Sequence, residues 1–300
     1  MVVGDLMLDV VLAPSRALEL GTDVPGRVAF RQGGSAATTA RWLARLGVPT
    51  TFVCAVGRDA AGRALVERVA AERVRVRAIR VAGARTGRIG VVVASDGERS
   101  FVADRGAADR LMPADLRSSW FDRCAVLHLP AYSLLTQPLG DASVAAARLA
   151  HAAGGRVSVD LASVGPLLAR GRRSAQTALQ GVAPDLVFAT AGEAMAFVGR
   201  RVESLVEVAP IAVVKRGSRG ATVLAREGAS VLRFEVATKP LPATDSTGAG
   251  DAFDAGFLAG WLEAERKGAA LPAALQRAAL AGHRAAARQL ASPSAELALG

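Results

Sequence analysis

Three hundred residues are enough for one large α/β domain or two small ones, and with 51% hydrophobic but only 4% aromatic residues the core must be filled by Ala, Val and Leu. The net charge of +10 is almost entirely arginine, because Lys215, Lys239 and Lys267 are the only lysines. The arginines are scattered among alanines with no basic block and no interleaved aromatics, which argues against a nucleic-acid surface, and no apolar stretch reaches the length of a bilayer span. The positive balance still suits a polyanionic small substrate such as a nucleotide.

Met1 runs directly into VVGDLMLDVVL without a basic segment ahead of it, so no signal peptide is expected. Cys54 and Cys124 sit in apolar strand-like runs without metal-ligand spacing and read as buried free thiols. Together these features suggest a cytoplasmic protein.

Along the chain, Gly4-Asp5-Leu6-Met7-Leu8-Asp9 reads as a first strand with Asp9 at its end, either a turn residue or a carboxylate able to accept hydrogen bonds from a polyol. Val10–Gln32 is polar and turn-rich. Gly33-Gly34-Ser35 then opens an alanine-rich helix predicted over Ser35–Leu46, with Thr38 in its first turns. A strand at Thr50–Val56 leads to Asp59, a candidate N-cap for a helix over Ala60–Arg73. The segment Arg85–Asp104 reads as a hairpin turning at Asp96-Gly97, and Arg105 follows it, either a surface arginine or a fork for a substrate anion.

Strands are then predicted at Ala125–Leu129, Arg156–Asp160, Asp185–Ala189 and Ile211–Lys215, with helices at Asp141–Ala153 and Gly192–Val198. Such βα alternation predicts a mostly parallel central sheet with helices on both faces, in which ligands bind beyond the carboxyl ends of the strands. The irregular segments 10–32 and 85–104 would form a small β lid, or the second a merely decorative hairpin, on a single domain of residues 1–300.

The richest segment is Asp245-Ser246-Thr247-Gly248-Ala249-Gly250-Asp251-Ala252-Phe253, ahead of a long apolar helix pattern. The start of a helix leaves N–H groups unpaired and carries partial positive charge, and two glycines let that backbone approach a phosphate. Gly248, Ala249 and Gly250 thus read as an anion hole and Asp251 as a general base, the equipment for attack of a hydroxyl on a phosphoryl group. A plain helix start with a dipole-compatible Asp is the alternative. No Gly-Lys-Ser/Thr follows, so this is not a Walker loop.

The order DSTGAGDAFDAGF resembles the C-terminal signature of the ribokinase-like (PfkB) sugar kinases, and the resemblance extends over the whole chain. It implies a ribokinase-like fold and ATP-dependent phosphorylation of a sugar hydroxyl, with ATP and magnesium as cofactors and potassium as a further candidate. It implies Asp251 as base with Gly248, Ala249 and Gly250 as anion hole, and a sugar site at Asp9, Gly33, Gly34 and Thr38, where the family usually has Asn in place of Thr38. Arg105 lies near an arginine found in members acting on acidic sugars.

The segment Thr190-Ala191-Gly192-Glu193 resembles the family's Asn-x-x-Glu, which implies Glu193 as a magnesium ligand through water and Thr190 near the nucleotide phosphates. Lys215, Gly217 and Gly220 match the nucleotide loop, where the glycines would equally make a tight hairpin, and His283 falls where a nucleotide-contacting Asn is common. Asp245 and Thr247 correspond to a monovalent-cation segment of many relatives. The partners implied are a small sugar-like substrate and ATP, with no nucleic acid or membrane, and a homodimer through the lid. Two other readings are a nucleoside kinase of the same fold, with Phe30 and Phe101 as stacking candidates, and a catalytically silent sugar or nucleotide sensor.

Overall fold

The computed structural model describes residues 1–94, 99–241, 245–292 and 295–297, so the expected Asp96-Gly97 turn lies outside the described residues. In chain order the first half contains β1 (Val2–Val3), β2 (Met7–Pro14), β3 (Gly26–Gly33), α1 (Ser35–Arg45), β4 (Thr51–Gly57), α2 (Ala60–Ala70), β5 (Arg75–Val81), β6 (Arg88–Val93), β7 (Arg99–Asp104) and β8 (Val126–Pro130). There follow α3 (Leu139–Ala152), β9 (Arg156–Asp160), α4 (Val164–Leu168), α5 (Arg172–Val182), β10 (Leu186–Thr190), α6 (Ala191–Val198), β11 (Ile211–Lys215), β12 (Ala221–Glu227), β13 (Ser230–Val236), α7 (Ala249–Arg266) and α8 (Leu271–Ala291).

The large sheet has the order β13-β12-β11-β10-β9-β8-β1-β4-β5. From β11 to β5 every pairing is parallel, and β12 and β13 add an antiparallel edge. Successive strand residues point to opposite faces. Val2, Phe52, Cys54 and Val56 therefore pack with α1, α2, α7 and α8, and Val3, Val53 and Ala55 with α3, α4, α5 and α6. With few aromatics available, each core is made of many small contributions, fully buried Leu or Phe side chains such as Leu65 and Phe52 contributing about 1.5–3 kcal/mol apiece. Cys54 and Cys124 are buried and unpaired, and burial pushes the Cys54 thiol up to about 12.

Helix ends explain the small departures from expectation. Asp59 caps α2 by accepting from the Gly62 N–H at 2.9 Å. That helix stops at Ala70 instead of Arg73, because Arg73 takes a left-handed conformation with φ of 64°.

The second sheet has the order β3-β2-β6-β7 and covers the carboxyl-end side of the first. It is built from the segments 10–32 and 85–104 that were expected to form a lid, but it begins earlier. The first strand is divided: Val2–Val3 belongs to the large sheet and Met7–Pro14 to the lid, so Asp9 lies inside a lid strand, paired with Arg31, and not at the end of a core strand.

α7 and α8 cross at unusually close range. A Cβ on Gly256 would lie 2.6 Å from the Ala281 carbonyl oxygen, and one on Gly282 would lie 2.9 Å from the Phe253 ring. The backbone contact fixes the axis of α7 and hence the position of its first turn.

Candidate active site

The carboxyl ends of β9, β10 and β11, the first turns of α1, α6 and α7 and the inner face of the lid line one cleft of about 1500 Å³. A single small-molecule site occupies roughly 300–1,000 Å³, so there is room for two substrates side by side.

At the centre, α1 and α7 meet by their N-termini. Asp251, in the first turn of α7, accepts a hydrogen bond from the Ser35 hydroxyl at 2.6 Å. Enclosure by protein raises the Asp251 carboxyl to about 7; the Ser35 hydrogen bond opposes this and the neighbouring Asp160 adds to it. Gly248 has φ of 74° at the start of α7, and a Cβ there would press on Thr38 at 3.2 Å. The Ala249 N–H turns back to the Ser246 carbonyl at 3.1 Å, so that amide is engaged within the loop, unlike the expectation of three free donors. The donors left to a ligand are those that any helix start leaves unpaired, Gly250 among them. Two positive helix ends thus face one buried carboxylate.

On the lid side, Asp9 lines the cleft and its Oδ1 is buried without a hydrogen-bond partner. Burial, then Asp5, raise the Asp9 carboxyl to about 7 against the pull of Arg31. Gly33 is needed here, because a Cβ would fall 1.8 Å from Asp9 Oδ1. Gly34, with φ of 95°, lets the chain pass 2.5 Å (from a notional Cβ) over the Asp5 carbonyl. Thr38 donates to the Gly34 carbonyl at 3.0 Å, tying its hydroxyl to its own helix. Arg105 lines the cleft over the Tyr132 ring, with Nε on Asp109 at 2.6 Å and Nη1 3.5 Å from Asp5. Its Nη2 is buried without a partner. Burial works against the charge of Arg105, but Asp5 and Asp109 outweigh it and hold the guanidinium charged.

At the other end, Thr190 caps α6: its hydroxyl accepts from the Glu193 N–H at 3.2 Å and Glu193 accepts the Thr190 N–H at 2.7 Å. Burial and Asp160 raise the Glu193 carboxyl above its ordinary value. Lys215 reaches the cleft wall 3.5 Å from the Cβ position of Gly250. Its ammonium is not free, as the phosphate contact had required: it bonds Asp160 and Asp254, each at 3.1 Å. Burial disfavours that charge, yet the two carboxylates prevail and raise the lysine above its ordinary value.

The glycines of the nucleotide loop form a tight connection between antiparallel β11 and β12. Gly217 (φ 58°) starts it and Gly220 (φ 88°) ends it, where a Cβ would strike the Val236 carbonyl at 2.1 Å. Neither glycine lines the cleft, nor does His283, whose Nε2 is 3.1 Å from the Val236 carbonyl with its ring edge-on to Phe253. Phe101 lines the cleft and Phe30 does not.

Asp245 does not line the cleft. It is gripped by Arg31 at 3.2 Å and Arg99 at 2.7 Å, and it accepts the Thr247 N–H at 2.9 Å. Thr247 does line the cleft.

A family model described as pfkB family carbohydrate kinase matches residues 1–297. The chain belongs to that family. It is an ATP-dependent carbohydrate kinase, with the α/β fold of mostly parallel sheet that the sequence implied. The kinase is 30% identical over 240 residues to Fructokinase-1 of Oryza sativa subsp. japonica, covering 75% of this chain and 72% of the rice protein. It is 31% identical over 234 residues to the ATP-dependent ribose-1-phosphate kinase of Halopiger xanaduensis, covering 77% and 73%. Its fold superposes on adenosine kinase from Sinorhizobium meliloti with a TM-score of 0.82 at 24% identity, over 99% of this chain and 96% of the other.

Several site residues were not singled out from the sequence. Asp5 accepts the Ala36 N–H at 3.1 Å, Ser35 holds Asp251, and Asp160 and Asp254 flank Lys215. Two had a signal. Asp160 ends a predicted strand, and Asp254 is one helical turn from Asp251. Asp5 and the lid arginines had none, because their partners are distant in sequence.

Proposed function

We propose that the kinase transfers the terminal phosphoryl group of ATP to a hydroxyl of a sugar carrying an anionic or strongly polar group, within one domain closed by the lid. The observation that carries this is the pairing of two enclosed carboxylates across one cleft, Asp251 at a helix start and Asp9 on the lid. Asp9, with its open Oδ1, accepts acceptor hydroxyls over the bare backbone at Gly33 and Gly34. The unpaired Nη2 of Arg105 donates to the polar group. Asp251, oriented by Ser35, takes the proton of the attacking hydroxyl. The first-turn amides of α7, from Gly248 and Gly250, stabilise charge on the transferring group. Lys215 stands beside Gly250 as a fixed counter-charge whose carboxylate partners keep it in place.

ATP fits the end of the cleft toward Thr190 and Glu193. Magnesium suits the hard carboxylate oxygens of Glu193 and Asp160; burial, and then the charge of Asp160, raise the Glu193 carboxyl. Among the described residues no three acidic, His or Cys side chains form a complete metal cage, so waters and phosphates would complete the shell. Bound there, magnesium supplies neutralisation of phosphate charge. A homodimer through the lid belongs to the same reading, supported by exposed Val28 and Val102 on the lid.

The deciding experiment measures ADP release with ATP and magnesium across neutral sugars, sugar acids, sugar phosphates and nucleosides, in wild type and Arg105→Ala. A sugar acid or sugar phosphate as best acceptor, with KM raised in the variant, supports the assignment. A neutral sugar used equally well by both proteins refutes it for Arg105, and a nucleoside as best acceptor would assign the cleft-facing Phe101 to base stacking instead.

A further inference from the structure

The loop that leads into α7 is held from two sides. On one side Gln289 of α8 donates to the Thr247 carbonyl at 2.9 Å and is itself fixed by the Trp42 N–H at 2.9 Å. On the other, both oxygens of Asp245 are taken up by the lid and by the loop. Oδ1 meets Arg99 Nη1 at 2.7 Å and the Thr247 N–H at 2.9 Å, and Oδ2 meets Arg31 Nη1 at 3.2 Å. Arg31 lies on β3 and Arg99 on β7, the two outer strands of the lid sheet. The lid therefore holds the carboxylate from both of its edges.

The resemblance implies a monovalent cation at Asp245 and Thr247, and the residues present do not fit one. A cation there would need an Asp245 oxygen that is already paired, and it would sit against two guanidinium charges. Those charges also do what a cation would do. An unneutralised Asp245 only a few residues from the first turn of α7 would repel an incoming phosphate; with two guanidinium partners the local charge is positive instead.

We propose that Arg31 and Arg99 are positioning residues for phosphoryl transfer: they replace a monovalent cation at Asp245, and they make the placement of the α7 start depend on the lid being down. The proposal rests on the kinase reading of the cleft. Its consequence is a kinase whose rate does not respond to potassium.

The test compares ADP release in potassium chloride and in tetramethylammonium chloride at equal ionic strength, for wild type, Arg31→Met, Arg99→Met and the double variant. Wild type is expected to show the same kcat in both salts. The double variant is expected to lose about 10- to 100-fold in kcat, as for a misplaced catalytic loop, with part of the loss recovered in potassium because Asp245 is then free to bind it. Thermal unfolding without substrates gives a second readout: potassium should raise Tm over tetramethylammonium only in the variants.

Potassium activation or potassium stabilisation of wild type overturns the proposal. So does a loss of rate in the variants with no potassium response, which would reduce both arginines to structural ion pairs. If the double variant does not fold, the single variants and the wild-type salt comparison decide. Absence of turnover with every acceptor would refute the kinase reading instead, and the Tm comparison would still judge the clamp.

Discussion

At the scale of single residues, the proposed function turns on two carboxylates, Asp251 and Asp9, that burial raises to about 7. Asp251→Asn should lower kcat by about 10²–10⁴-fold, the range for losing a general base, with ATP binding by calorimetry largely unchanged. The pH dependence has a definite sign. A base acts when ionised, and burial raises Asp251 from 3.8 to about 7, so kcat should climb as pH rises through about 7. The Asp9 carboxyl is also raised to about 7; in the role proposed for it, binding acceptor hydroxyls without moving a proton to the reacting atom, its effect belongs in KM for the acceptor. Asp9→Ala should therefore raise acceptor KM with little change in ATP affinity. Gly33→Ala should do the same without removing a polar group, since its methyl would fall 1.8 Å from Asp9 Oδ1 and displace the carboxylate. If Gly33→Ala leaves acceptor KM unchanged, Asp9 is not in contact with the acceptor.

At the scale of elements, the position of α7 matters more than its propensity. Its first turn carries Asp251, its next turn carries Asp254 beneath Lys215, and its far face lies against α8 through Gly256, Gly260 and Gly282. Gly256→Leu should destabilise the fold by about 1–3 kcal/mol, the usual cost of overpacking, because its side chain would meet backbone at 2.6 Å. Displacement of α7 should also lower kcat more than it changes acceptor KM, and the two effects are separable by steady-state kinetics at a temperature where denaturant titration shows the variant folded. The β11–β12 connection gives the opposite lesson. Gly217 and Gly220 resemble a nucleotide loop, yet their backbone angles and the crowding at Val236 are those a tight antiparallel connection demands.

At the scale of the whole molecule, arginine dominates the cleft rim. Arg41, Arg45 and Arg68 line it while gathered on Glu72, and Arg31 and Arg99 line it while holding Asp245. A field of this sign favours entry of ATP and of an anionic acceptor. Raising salt from low to moderate ionic strength should increase KM for ATP while kcat stays level, because screening weakens capture at a distance more than contacts in the closed site. A level KM across that range would mean that the rim arginines serve only their local carboxylates. No helix among the described residues is long and apolar enough to cross a membrane.

The sequence by itself determined the parts that depend on near neighbours along the chain. Strands at Arg156–Asp160 and Ile211–Lys215 were legible to the residue, because short apolar runs bounded by turns need no distant partner to be recognised. The start of α7 with Gly248, Gly250 and Asp251 was legible for the same reason, as were the turn at Gly33-Gly34 and the cap at Asp59. β5, with arginine alternating through it, and β13 were not singled out, since an edge strand is defined by the neighbour it pairs with. Only the tertiary structure decided which charges meet. Lys215 looked free for phosphate and is spoken for by Asp160 and Asp254; Asp245 looked free for a cation and is held by two lid arginines. A side chain's charge is written in the sequence, but its partner is set by how the sheets and helices pack, and at these sites the partner determines the chemistry.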